Sequence, residues 1–123
     1  MIEHVTHRRE TFARLLAVWN GEEALDELDS LVSPNYRGHL GLRDRDLSRL
    51  KHDIADYRDR HPGVRFQVEH QFGEGAHLAT RLTARAPADT AGEPAAVCGL
   101  NISRWEDGVL AEEWAVWEPF SGN

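Results

Sequence analysis

The chain has 123 residues, with 21 acidic against 14 basic side chains and a formal net charge of -7. This length predicts one domain, over residues 1–123, built around one hydrophobic core. The acidic balance and the lack of any basic tract argue against nucleic acid or an anionic membrane as a partner.

Cysteine and hydropathy patterns indicate where the protein works. Cys98 is the only cysteine, so the sequence offers neither an intramolecular disulfide nor the thiolates of a structural zinc site. No stretch approaches the ~20 apolar residues of a membrane span, and the charged first ten residues do not resemble a signal peptide. We therefore expect a cytoplasmic protein with no membrane partner.

The first half of the sequence is typical of helices. Apolar residues recur at helical spacing over residues 5–19, and the Asn-Gly pair that follows would end this helix. Apolar residues on one side predict a short second helix over residues 24–32. It ends there because the residue before Pro34 disfavours helix. A third helix is predicted over residues 47–60, with Asp46 as its N-cap.

The second half of the sequence is typical of strands. Alternating apolar and polar residues predict strands over residues 64–72, 77–86, 95–105 and 109–118. Residues 36–45 and 87–94 are expected to be loops. Three helices followed by an antiparallel meander predict an α+β fold.

The Asp107-Gly108 pair predicts a two-residue hairpin turn between the last two strands. The resulting register places Asn101 opposite Trp114 and Ser103 opposite Glu112. One face then carries Asn101, Ser103, Trp105, Glu112, Trp114 and Glu118. Both faces of this hairpin are substantially apolar, so one face is expected to line an interior and the other to meet a second subunit.

The carboxylates on the first of these faces are candidates for acid–base chemistry. Burial disfavours the charged form of a carboxylate and raises its pKa toward working pH. Structural roles remain open: Glu118 as a solvated strand end, and Glu112 as a salt-bridge partner of Arg104 or Arg81. The tryptophans would then be core aromatics.

Motif patterns give no other chemistry. The sequence has no dinucleotide-binding glycine motif, no phosphate-binding P-loop and no G-x-S-x-G nucleophile motif. Its seven histidines are not spaced like metal ligands, so no metal is predicted.

Five segments carry a resemblance to a known family. They are SPNYRGH at 33–39, HPGVRF at 61–66, FGEG at 72–75, RWEDG at 104–108 and EEWAVWE at 112–118. Their order and spacing, over nearly the whole chain, resemble the SnoaL-like polyketide cyclase family of the NTF2-like superfamily. The resemblance implies a cone-shaped α+β barrel, with three N-terminal helices packed on a curved antiparallel sheet. It also implies a deep apolar pocket, no cofactor, and a homodimer.

The resemblance also implies site residues. The family pattern E-x-W-x-x-x-D falls on Glu112, Trp114 and Glu118, with Glu118 standing for the catalytic Asp. His39 matches a histidine that reaches the pocket region in the family, and Ser103 stands where cyclases often have a histidine. The substrate would be oriented by His39, Tyr36 and Asn101. Ser103 and Glu112 would also bind it, and Trp19, Trp105 and Trp114 would wall the pocket.

The sequence thus predicts an enzyme of secondary metabolism that cyclises or isomerises a carbonyl-bearing or cyclic small molecule. Glu118 would be its general acid or base, with His39 assisting. Two alternatives remain. One is an NTF2-like epoxide hydrolase, which needs an Arg between two acids together with Tyr and Asn. The residue types are supplied by Glu118, Glu112, Arg104 or Arg81, Tyr36 and Asn101, although the predicted register puts Arg104 on the face opposite to Glu118. The other is a non-catalytic ligand-binding domain.

Overall fold

The computed structural model of the chain describes residues 2–87 and 96–118, with side chains described from residue 5 onward. The helices are α1 (Ile2–Trp19), a 3-10 turn (Leu25–Glu27), α2 (Leu28–Leu31) and α3 (Leu47–Arg60). The strands are β1 (Val32–Leu40), β2 (Arg43–Arg45), β3 (Arg65–Glu74), β4 (His77–Arg85), β5 (Ala96–Glu106) and β6 (Val109–Trp117). The loop expected at 87–94 lies, after Pro87, outside the described residues.

The predicted helices are confirmed, and the cap of α3 explains where that helix begins. Asp46 has an extended backbone, and its side chain accepts a hydrogen bond from the Arg49 amide at 2.8 Å. This satisfies one of the four amides left unpaired at the start of a helix. The second helix is shorter than predicted, since the backbone at Val32 is already extended. No helix in the described residues is long and apolar enough to cross a membrane.

The six strands form one curved, unclosed sheet in the order β2-β1-β6-β5-β4-β3. Strands β1 and β6 run parallel, whereas every other neighbouring pair is antiparallel. The α+β fold with helices on a curved sheet is therefore confirmed, but the sheet is mixed rather than antiparallel. The reason is that residues 36–45, expected to be a loop, contribute most of β1 and all of β2.

The core lies between the helices and the inner face of the sheet. Phe12, Leu15 and Val18 of α1 lie three residues apart, so they share one side of the helix and are all buried. They pack with Leu50 and Ile54 of α3 in the same cluster, which also holds buried side chains from the sheet. Full burial of each such side chain contributes roughly 1.5–3 kcal/mol. The helices of the described residues thus cover one face of the sheet.

A β-bulge in the last hairpin changes the predicted register. Trp105 pairs with Leu110 as expected, but Arg104 pairs with Glu112, which leaves Ala111 as the extra residue. The expected pairings of Ser103 with Glu112 and of Asn101 with Trp114 are therefore wrong. Their partners are Glu113 and Ala115. Beyond the bulge every β6 side chain lies on the face opposite to the predicted one.

Candidate active site

A cavity of about 440 Å³ lies between the helices and the inner face of the sheet. Aromatic side chains of the described residues form much of its lining: Phe12, Trp19, Tyr57, Phe66 and Trp117. The ring of Phe66 lies 5.4 Å from that of Trp19 and 5.6 Å from that of Trp117, both in edge-to-face contact. Gly99 makes room for Trp117, because a Cβ there would lie 2.3 Å from the indole ring. Such walls suit a planar or cyclic apolar ligand.

Glu113 of β6 is the least exposed of the described carboxylates that line this cavity. One oxygen, Oε1, accepts a hydrogen bond from Asn101 Nδ2 at 2.9 Å. The other, Oε2, accepts from the hydroxyl of Tyr36 and from Arg45 Nη2, the latter at 3.2 Å. Its side chain is only 12% exposed. Three donors thus hold one carboxylate in a fixed orientation at the cavity wall.

Arg45 joins this carboxylate to a second one. Its guanidinium donates to Asp53 Oδ2 at 3.2 Å, to Glu113 Oε2 at 3.2 Å and to the Tyr36 hydroxyl at 3.1 Å. The Arg45 side chain is 6% exposed and lies 5.9 Å from the centre of the Trp19 ring. A buried guanidinium with two carboxylate partners and an aromatic face is well compensated for its loss of water.

The two tyrosines near the cavity stay protonated. Burial, and secondly the negative charge of Glu113, raise the pKa of Tyr36 far above its ordinary value. Burial raises the pKa of Tyr57 to about 12. Both phenols therefore remain neutral at physiological pH, and Tyr36 serves Glu113 as a hydrogen-bond donor.

The structure brings some of the expected site residues together. Trp19 and Asn101 line the cavity, and Tyr36 contacts its carboxylate. Glu118 also borders the cavity, but its side chain is exposed and its Oε1 accepts from the Cys98 amide at 2.8 Å. This position fits the solvated strand end that the sequence left open.

Ser103 and Trp105 are interior residues, but they do not line the cavity. Both are buried, and Trp105 Nε1 donates to Ser103 Oγ at 2.9 Å. The indole donor of a buried tryptophan needs such a partner. The expected contact of these two side chains with substrate therefore finds no support in their placement.

His39, Glu112 and Trp114 lie on the outer face of the sheet. His39 Nε2 contacts Glu112 Oε2 at 2.7 Å, and the imidazole stacks on the Trp114 ring at 5.5 Å. Their expected position in the pocket is wrong for two reasons. The bulge at Ala111 turns Glu112 and Trp114 outward, and strand alternation turns His39 away from its inward neighbour Gly38.

Several cavity residues were not expected from the sequence: Arg45, Asp53, Tyr57, Phe66, Glu113 and Trp117. If residues 32–40 are taken as a strand, Tyr36 and Gly38 are predicted to lie on the same face of it, because they are two residues apart. Within the described residues, no group of three or more His, Cys, Asp or Glu side chains could hold a metal ion.

Comparisons with known proteins agree with this architecture. The model of the family described as SnoaL-like polyketide cyclase matches residues 9–120. IdmH from Streptomyces antibioticus, a proposed polyketide cyclase, is 24% identical, with a TM-score of 0.79 over 90% of this chain and 91% of that chain. No curated protein matches the chain significantly in sequence.

Other structural neighbours carry different proposed activities. A proposed isomerase of the SnoaL-like family from Agrobacterium tumefaciens is 18% identical, with a TM-score of 0.76 over 93% of this chain and 99% of that one. AclR from Streptomyces galilaeus, a proposed hydroxylase, is 17% identical, with a TM-score of 0.78 over 93% and 80%. Likeness at this level establishes a shared fold, and the reaction has to be argued from the site.

Proposed function

The chain belongs to the SnoaL-like polyketide cyclase family, and we propose that it cyclises or isomerises a carbonyl-bearing intermediate of secondary metabolism by cofactor-independent acid–base catalysis. The observation that carries this proposal is the carboxylate of Glu113, held by Tyr36, Arg45 and Asn101 in an aromatic-lined cavity. A fixed carboxylate in a site largely shielded from water is suited to remove a proton next to a carbonyl.

In this mechanism Glu113 takes a proton from the carbon adjacent to the substrate carbonyl, and negative charge develops on the carbonyl oxygen. The guanidinium of Arg45 lies 3.2 Å from the carboxylate of Glu113. It stabilises the negative charge that passes from this carboxylate to the carbonyl oxygen of the substrate. Return of the proton to another carbon gives isomerisation. Attack of the enolate carbon on a second carbonyl forms the ring bond and an alkoxide, which takes the proton from Glu113, and this gives cyclisation.

The geometry favours Glu113 over the residues that the sequence suggested for this role. Glu118 has an exposed side chain at the edge of the cavity, and His39 lies on the other side of the sheet. We therefore propose Glu113 as the acid–base residue, with Tyr36 and Asn101 positioning it. Trp19 keeps the role of a cavity wall.

Replacing Glu113, Glu118 or Glu10 by glutamine, one at a time, tests this assignment. The probes are β,γ-unsaturated cyclic ketones, followed by ultraviolet absorbance of the conjugated product, and thioesters of linear polyketo acids, followed by mass spectrometry. Glu113→Gln should lower turnover by roughly 100-fold or more, the usual contribution of a general base. The exposed helix residue Glu10 provides a matched control, since Glu10→Gln should not change turnover.

The other outcomes of this experiment are equally informative. A fully active Glu113→Gln protein would remove the mechanism, and a loss confined to Glu118→Gln would return the role to the residue that the sequence suggested. Binding of product-like ligands by the wild-type protein, with no turnover of any probe, would support the ligand-binding alternative.

Hydrolytic opening of an epoxide is a second candidate, favoured by one specific observation. Arg45 bridges Asp53 and Glu113, and Tyr36 and Asn101 both donate to Glu113. Glu113 would then take a proton from a water molecule whose oxygen attacks an epoxide carbon, and the oxygen released when the epoxide C–O bond breaks would take up that proton. Incubation with cyclohexene oxide in water enriched in oxygen-18 tests this reading. A diol with one labelled oxygen, lost in Glu113→Gln, supports hydrolysis, and an unlabelled ketone or allylic alcohol supports isomerisation.

We further propose that the protein is a cytoplasmic homodimer that joins through the outer face of its sheet. Free Cys98 is compatible with a reducing compartment. The outer face exposes apolar side chains from β5 and β6: Leu100, Ile102, Trp114 and Val116. Cell fractionation tests the location, and the oligomeric state is tested as described in the Discussion.

A further inference from the structure

The lining of the cavity has a charge composition unlike that of the whole chain. Among the described residues, four guanidinium groups line it, from Arg43, Arg45, Arg49 and Arg60. Four carboxylates of the same part of the chain line it as well, from Asp53, Asp56, Glu113 and Glu118. The described lining is therefore balanced in charge, whereas the chain carries a formal charge of -7.

Three of these four arginines are already engaged with acidic partners. Arg45 contacts both Asp53 and Glu113. Arg49 Nε lies 3.0 Å from Asp53, which is thus shared between two arginines. Arg60 and Asp56 form an exposed pair at 3.2 Å.

Arg43 is the exception. Within residues 2–87 and 96–118 its guanidinium has neither an ion pair nor a hydrogen bond, although it borders the cavity. The remaining lining carboxylate, Glu118, lies at the end of β6 and accepts the Cys98 amide. The described lining therefore leaves one cationic group available to a ligand.

The position of Arg43 follows from the β1–β2 hairpin. Arg43 and Arg45 are two residues apart in β2, so their side chains lie on the same face of the strand. Arg45 is buried and Arg43 exposed, which places the two cations at increasing distance from the cavity interior. Leu40, the strand partner of Arg43 in β1, also lines the cavity and gives the cation an apolar neighbour.

We propose that Arg43 binds a carboxylate of the substrate at the cavity mouth, so that the pocket accepts planar or cyclic organic acids. This inference rests on the proposed function, because it concerns the substrate of the same cavity. A guanidinium pairs with a carboxylate through two parallel hydrogen bonds, which fixes orientation as well as attraction. The acidic chain as a whole repels anions, so an acidic substrate needs a local cation at the point of entry.

A pair of probes that differ only in charge tests the proposal. 2-Naphthoic acid, ionised at neutral pH, and its neutral methyl ester have the same planar ring system. Their dissociation constants are measured by calorimetry at low salt for the wild-type protein and for Arg43→Gln. We expect the wild type to prefer the acid, and Arg43→Gln to weaken acid binding about 10-fold, within the range for a charge-assisted bidentate contact. Ester binding should change by less than about 2-fold.

The matched control is Arg37→Gln, because Arg37 is an exposed arginine of β1 that does not line the cavity. It should leave the binding of both probes unchanged. An equal loss of acid binding in Arg37→Gln, or an equal loss of acid and ester in Arg43→Gln, would overturn the role of Arg43. Ester binding without any preference for the acid would do the same and leave the proposed function standing. Failure of the wild type to bind either probe would count against both the cavity as a binding site and this inference.

Discussion

At the scale of single residues, the burial of an arginine determines how much its ion pairs contribute to the free energy of unfolding, as Arg45 and Arg49 illustrate. Its side chain is 6% exposed and has two acidic partners, whereas Arg49, which shares Asp53 with it, is 61% exposed. Ion pairs in water are worth about 0–1 kcal/mol, because solvent screens them and ordering the side chains costs entropy. A buried ion that loses its partner keeps the cost of desolvation.

The same substitution at these two arginines should therefore give different results. Arg45→Met should lower the free energy of unfolding by about 3–5 kcal/mol, because it leaves Glu113, whose side chain is only 12% exposed, without its cation. Arg49→Met should lower it by less than about 1 kcal/mol. Urea denaturation at neutral pH measures both. Equal effects would mean that the buried cluster around Glu113 is not maintained in solution.

At the scale of elements, a chain of charged side chains links four strands across the outer face. It runs from Asp44 of β2 through His39 of β1 and Glu112 of β6 to Arg104 of β5. The two ring nitrogens of His39 lie 2.8 Å from Asp44 and 2.7 Å from Glu112. Ionised carboxylates only accept hydrogen bonds, so both ring nitrogens can donate, one to Asp44 and one to Glu112, when the imidazole is protonated.

The pKa shifts in this chain predict a pH dependence. Hydrogen bonds to Asp44 and then Glu112 raise the pKa of His39 above 6.5. The stability that protonated His39 contributes to the fold is therefore complete below pH 6.5, and it is lost as the pH rises through the folded-state pKa. Hydrogen bonds from His39 and then Arg104 lower the pKa of Glu112 below 4.5, so that contribution is lost as pH falls through its folded-state pKa. The link is therefore strongest between these two limits.

Comparing wild type with His39→Gln tests this window. The difference in unfolding free energy should be largest at about pH 5–6 and should shrink in both more alkaline and more acidic solution. Urea denaturation across the pH range, at one protein concentration, measures it. His52 of α3 is exposed, and His52→Gln should give a difference that does not follow this pattern. A difference for His39→Gln that is constant with pH would contradict the prediction.

The elements also show what the sequence could predict. Periodicity and an Asp cap were sufficient for α3, because both are local properties of its own residues. The sequence does not predict strand β1, because Gly38 and Gly41 favour a loop and Pro34 has no amide to donate. The irregular pairing between Val32 and Arg37 accommodates that proline beside β6. The bulge at Ala111 has no signal in the local sequence either. Because of this one extra residue, the carboxylate that faces the cavity is that of Glu113 and not that of Glu112.

At the scale of the whole molecule, the two faces of the sheet differ in what covers them. The inner face packs on the helices and forms the cavity, whereas the outer face exposes Leu100, Ile102 and Val116, each about half exposed. Three charged side chains on that face, His39, Glu112 and Arg104, are engaged with one another. Two copies that meet there would bury apolar surface without burying an unpaired member of this network. These properties suit a second copy of the chain as the partner.

A charge introduced into this face should separate the two copies. Leu100→Asp places a carboxylate in the middle of the proposed interface, where burial without a partner costs several kcal/mol, and the two-fold symmetry introduces it twice. Light scattering should find a mass near twice 13.9 kDa for the wild type and near 13.9 kDa for the variant. Leu42→Asp is the matched control, because Leu42 is fully exposed at the tip of the β1–β2 hairpin and should leave the dimer intact. A monomeric wild type, or a dimer that survives Leu100→Asp, would mean that the outer face does not join two copies.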